Sequence, residues 1–186
     1  MTRIISICLA ILCLLSSSTQ ILAQNDEEAQ INTALEFYST LTGDWTGSYS
    51  LWLRPGSPAE ESEIHANIKP VAKNSYYLMT YSWARGKQAH EGIFLLGGKG
   101  KSAAATWGDS FHSAPGTISC KGELQESGEK LILNSTYSVG DGPDWGWRTE
   151  FAQKGPNSLL MEAYNISPEG QEDLAVRAVM ERVQDK

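Results

Sequence analysis

Cysteine is nearly absent. The chain has three, Cys8, Cys13 and Cys120, and the first two stand inside an apolar leader. Without that leader Cys120 has no partner in the chain, so no internal disulfide can staple the fold. The same scarcity excludes zinc sites built from paired thiolates. A small domain without staples is held by its own apolar core. Cys120 lies in "GTISCKGEL" with no base beside it and reads as a buried structural residue.

Positive charge is also in short supply. Fifteen Lys and Arg face 22 Asp and Glu, a net charge of −7, and removing Arg3 with the leader takes it to −8. That balance argues against nucleic acid and against anionic membrane surfaces as partners. Long apolar runs are missing beyond the leader, so no later segment is suited to span a membrane. The leader itself is "MTRIISICLAILCLLSSSTQILA": Arg3, an apolar run from Ile4 to Leu15, then a Ser-rich stretch ending at Ala23. The run is shorter than the roughly 20 residues of a bilayer span. Residues 1–23 therefore read as a secretory signal peptide. The mature chain is expected in the periplasm or secreted. Neither Cys8 nor Cys13 has a lipoprotein-type context, so no lipid anchor is expected.

Histidine is scarce too, limited to His65, His90 and His112. Metal sites favour clustered ligands such as H-x-H or H-E-x-x-H, and neither pattern occurs. No metal and no cofactor is expected. The one variant left is a single axial ligand to haem from His90 or His112. "GGKGKS" lacks the spacing of a phosphate loop and reads as a hairpin turn. Asp141 and Asp144 are too few for a calcium shell.

What the chain does have is periodicity. "NDEEAQINTALEFYSTLTG" reads as an amphipathic helix over residues 24–43. Asn25 or Asp26 would cap it. Ile31, Ala34, Leu35, Tyr38 and Leu41 form one stripe, and Gly43 stops it. From Asp44 the period becomes two. Turn signals such as "RPGSP", "HSAPG", "GDGPD" and "SPEG" recur about every ten residues. The expected strands are 44–53, 60–70, 75–84, 88–96, 102–110, 116–124, 131–139, 145–153, 158–166 and 172–183. No link is long enough for a parallel crossover. About ten strands with short links make an up-and-down antiparallel meander, which twists and closes into a barrel and thereby removes its edges. The domain is all-β and runs over 44–186.

Alternation assigns the faces. Trp45, Gly47, Tyr49, Leu51 and Leu53 share one side of the first strand. Tyr77, Met79, Tyr81 and Trp83 share a side of the third. Leu131, Leu133, Ser135, Tyr137 and Val139 do so in the seventh, and Trp145, Trp147, Thr149 and Phe151 in the eighth. Closing the barrel sets the end of the last strand beside the start of the first, so Arg182 is expected over Trp45. Gly43 and Gly47 leave room for the large ring. Arg177 falls in the opposite parity. Trp52 is either an exposed aromatic or a partner of the helical stripe.

In these features the chain is similar to the lipocalin-type (calycin) barrels, and more closely to a family of bacterial lipocalin-like domains of unknown function. The matching elements are the opening Gly43-x-Trp45 and "HEGIFLLG" over 90–97. Further along come "WGDS" with Trp107, Asp109 and Ser110, the "SPEG" turn over 167–170, and the closing Arg182. One departure is "LLGGKGKS", where relatives often carry a Tyr-Asp pair. The resemblance implies the barrel fold and supplies no activity.

An interior rich in aromatics suits a small apolar or amphipathic ligand, oriented by a few polar groups. The expected lining is Tyr49, Met79, Tyr81, Trp83, Trp107 and Trp147, with Asp109 and His112 as polar contacts. Such a binding barrel is expected to be monomeric or weakly dimeric. The alternative is a solid-core structural or interaction protein of the cell envelope that acts through its surface. An enzyme at the barrel mouth is a third reading. "WGDSFH" offers Asp109, Ser110 and His112, but alternation separates Asp109 from Ser110 and leaves His112 at the strand's end. No oxyanion hole accompanies them.

Overall fold

The computed structural model describes residues 31–184, so the leader and the first part of the expected helix lie outside the described residues. Ten strands follow one short helix. They are β1 Gly43–Leu51, β2 Glu60–Val71, β3 Tyr76–Arg85, β4 Gln88–Lys99 and β5 Ser102–Asp109, then β6 Ile118–Leu124, β7 Lys130–Tyr137, β8 Trp145–Gln153, β9 Ser158–Ile166 and β10 Glu172–Arg182. Each strand pairs antiparallel with its sequence neighbours, and β10 pairs with β1. The result is a closed up-and-down barrel without a free edge.

Alternation predicts the inward faces well. Tyr77, Met79, Tyr81 and Trp83 are buried on β3, and Trp147, Thr149 and Phe151 on β8. The predicted stripes overrun at two strand ends. Leu53 and Val139 lie in connections past β1 and β7 and are exposed. Once the chain leaves the ladder, the period of two no longer fixes where a side chain points.

The helix is shorter than expected. Helix α1 spans Ala34–Thr40, and its cap is Thr33 rather than Asn25 or Asp26. Thr33 Oγ1 accepts from Glu36 N (3.1 Å), and a Glu36 carboxylate oxygen accepts from Thr33 N (3.0 Å), a reciprocal capping box. Residues 31–33 are not helical. The buried face is Ala34, Phe37, Tyr38 and Leu41, while Ile31 and Leu35 are only partly covered.

Helix α1 plugs one end of the barrel. Ala34 N donates to Gly100 O (2.8 Å), which ties the helix start to the β4–β5 turn. At the same end Trp45 is 1% exposed and its Nε1 donates to Leu41 O (2.8 Å). Arg182, opposite Trp45 in the ladder, places its guanidinium carbon 4.2 Å from the ring centroid. Its nitrogens donate to Thr40 O (2.7 Å), Thr42 O and Pro156 O (3.1 Å). A cation thus meets an aromatic face and the carbonyl end of a helix at once. Gly47 permits this seam, because a Cβ there would stand 1.9 Å from Val179 O.

Candidate functional site

The opposite end, the mouth, gathers the β1–β2, β3–β4, β5–β6, β7–β8 and β9–β10 connections. Its organising residue is Asp109, the last of β5, whose side chain is fully buried. An isolated buried carboxylate is costly. This one is saturated by donors. Oδ1 accepts from Phe111 N (2.8 Å), His112 N (3.0 Å) and His112 Nδ1 (3.0 Å). Oδ2 accepts from Tyr81 OH (2.8 Å) and Trp83 Nε1 (3.2 Å). Burial pushes the Asp109 carboxyl up, but His112 and these hydrogen bonds outweigh it and hold the group well below the usual carboxylate range. Tyr81 is pushed well above the usual tyrosine range by burial and by the charge of Asp109, so it stays a donor.

The route from Tyr81 to Asp109 crosses three strands. Tyr81 pairs with Gly92, and Gly92 pairs with Asp109. A Cβ on Gly92 would stand 2.1 Å from the Tyr81 ring. The missing side chain is therefore the gap through which the phenol reaches the carboxylate. Trp107 Nε1 donates to Tyr81 OH (2.8 Å) and completes the chain of bonds.

His112 is where this network meets a cavity. The turn after β5 folds back and brings His112 onto Asp109, despite its position past the strand's end. The cavity holds about 190 Å³ and lies between Trp52, Trp107, Phe111, His112, Tyr137, Trp147 and Asn165, with Leu51, Leu53, Ile118 and Ala175 completing the wall. Trp107 stacks on Trp147 at 5.1 Å, and His112 lies 5.8 and 5.7 Å from their centroids. The His112 side chain keeps 14% of its surface exposed. With Nδ1 committed to Asp109, Nε2 is the nitrogen left for the cavity.

The expected lining residues divide. Trp107, Trp147 and His112 stand on the cavity wall. Tyr49, Met79, Tyr81 and Trp83 are buried in the packed interior, with Tyr49 stacked on Trp83 at 4.6 Å. Asp109 lies behind the wall and acts through His112. Trp52 is part of the wall, at the end opposite α1, so it is not a partner of the helical stripe. The wall also includes Tyr137, from the alternating stripe of β7, and Phe111 and Asn165, which no periodic pattern marks. Asn165 sits at the far end of β9, and only the register reveals that Tyr137 OH donates to its Oδ1 (2.7 Å).

The other chemistry-bearing side chains do not converge here. Ser110 Oγ accepts from Glu91 N (3.0 Å) and lies 3.2 Å from His90 Nδ1, so it is not aligned as a nucleophile with His112. His90 is buried against Trp83 at 4.7 Å. No group of three or more metal-binding side chains occurs among the described residues. A larger depression at the helix end, walled by Thr40, Glu129, Gln153, Asn157 and Arg182, surrounds a guanidinium already engaged with carbonyls.

The sequence matches the profile of a family of proteins of unknown function, DUF1579, over residues 33–182. No curated protein matches it. Several solved structures resemble it, two of which follow. The crystal structure of Rv2717c from M. tuberculosis is 13% identical with a TM-score of 0.59, covering 81% of this chain and 98% of that one. The structure of the S-type phycobiliprotein lyase CPES from Guillardia theta is 14% identical with a TM-score of 0.57, covering 83% and 94%. At such identities the likeness is one of fold, a lipocalin-like barrel.

Proposed function

The chain belongs to the DUF1579 family of proteins of unknown function, and we propose that it is an exported binding protein that holds a small, mostly apolar molecule at the mouth of its barrel. The observation that carries this reading is the aromatic cavity with one histidine on its wall, braced from behind by a buried carboxylate. Ligand sites are commonly apolar hollows with a few placed polar groups. Size limits the ligand. A dry apolar cavity of about 150 Å³ accepts one benzene ring, and drug-sized molecules fill about 300 Å³ or more. A cavity of about 190 Å³ suits a single ring, or the end of a longer molecule that projects from the mouth. The name of the phycobiliprotein lyase concerns that protein, but a lyase built on a similar barrel is compatible with small-molecule handling in this fold.

Native mass spectrometry of the protein from its own source tests the reading, together with quenching of tryptophan fluorescence by benzyl alcohol and phenylacetate. A small mass lost on denaturation, or saturable quenching, is expected. A bare mass with no quenching by either compound overturns it. A Soret band would overturn the assignment of size and make haem the ligand.

A second reading has one observation behind it. Tyr76, Ile93 and Leu95 are 46, 45 and 40% exposed on the outer face of β3 and β4. Such a strip is a candidate protein contact, and it is consistent with a solid-core interaction protein if the mouth proves empty of function.

A further inference from the structure

The cavity wall carries two polar groups with unused valence. His112 gives Nδ1 to Asp109 and makes no hydrogen bond through Nε2 among the described residues. Asn165 has its Oδ1 taken by Tyr137 OH, and its Nδ2 makes none among them. The Asn165 amide nitrogen can only donate. His112 already donates from Nδ1, and it can donate from Nε2 as well when it carries both protons. With both protons on the ring, the wall of the apolar hollow presents two donors, and these match the two oxygens of a carboxylate. We infer that the ligand is a small aromatic or similarly compact apolar acid, whose ring lies against Trp107 and Trp147 and whose carboxylate is shared between His112 Nε2 and Asn165 Nδ2.

This inference rests on the binding reading above and names its ligand class. It also explains why a buried carboxylate stands behind the histidine. The charge on Asp109 repels an anionic ligand, and in the proposed complex a doubly protonated His112 stands between the two carboxylates. The ring then donates to a carboxylate on each side, and charge-assisted bonds of this kind are the strong ones. The chain's net charge of −7 opposes an anion only at long range, where salt screens it beyond roughly 8 Å. The local donors decide.

Phenylacetate and benzyl alcohol provide the test, since they share a ring and differ in charge. Their affinities are measured by tryptophan quenching on the whole protein. Phenylacetate is expected to bind about tenfold tighter or better, the factor typical of a hydrogen bond to a charged group. His112→Phe should erase that preference, so that the two compounds bind the variant equally. His112→Gln retains a donor and should keep part of the preference, and Asn165→Leu should lower it several-fold. Near-UV circular dichroism checks that each variant retains its packed aromatic core. Equal affinities in the wild-type protein, or a preference that survives His112→Phe, overturn the inference while leaving a binding protein. Failure of both compounds to bind overturns the inference, and together with a bare mass in native mass spectrometry it removes the binding reading as well.

Discussion

The two ends of the barrel use similar parts to opposite effect. At the helix end a cation lies on an indole, and its donors are spent on carbonyls of the chain's own backbone. At the mouth an anion is buried, and its acceptors are filled by side-chain and backbone donors. The difference lies one residue further out. Beyond Arg182 nothing is left to bind, whereas beyond Asp109 stands a histidine with a free nitrogen on a cavity wall. A charged group that is internally satisfied closes a fold. The same arrangement, extended by one ring, presents a valence to a ligand.

The largest effect is expected at the closed end. Trp45→Ala removes a fully packed indole and its bond to Leu41, and should cost about 3–5 kcal/mol, read as a lower urea midpoint. A loss under about 1 kcal/mol would mean that the helix end is not a rigid plug. At the mouth, Asp109→Asn keeps the size but loses the charge that five donors address, and should cost about 1.5–3 kcal/mol. Its pH dependence sharpens the contrast. The folded Asp109 carboxyl titrates below its unfolded value of 3.8, so its contribution is complete above that value. It is lost as pH falls below it toward the folded value. The gap between wild type and Asp109→Asn should therefore narrow in acid, and a gap that is constant from pH 7 to pH 2 would contradict the charge argument. Smallest is Arg182→Gln, at about 1–2 kcal/mol, because the guanidinium is partly exposed and some carbonyls gain water instead.

The sequence makes the closed end plain and the mouth only in part. A glycine, a tryptophan and a terminal arginine in fixed order are enough to place Trp45 against Arg182, because closure of an even meander brings first and last strands together. The mouth depends on residues that chain order keeps apart. Tyr81 and Asp109 are separated by 28 positions and meet only through the register of three strands. One signal was present: Gly92 is a glycine on the inward face of β4, between the bulky His90 and Phe94. Period alone also cannot say that the turn after Asp109 folds back, and that turn decides where Phe111 and His112 go. Ile31 continues the helical spacing of Ala34, Leu35 and Tyr38 and so draws a helix upstream of Thr33, whereas the capping box sets the start of α1.

The seam between Trp45 and Arg182 also has a temporal meaning. A chain emerging from its N-terminus can pair β1 with β2 early, but the other side of β1 must wait for residues 176–182. Closure joins positions 137 apart, the most distant contact the barrel makes between paired residues. Such non-local pairings slow folding. Until then both outer strands remain open to foreign partners. The final strand thus serves as a completion signal, and a chain halted before it carries every other hairpin yet cannot become a barrel.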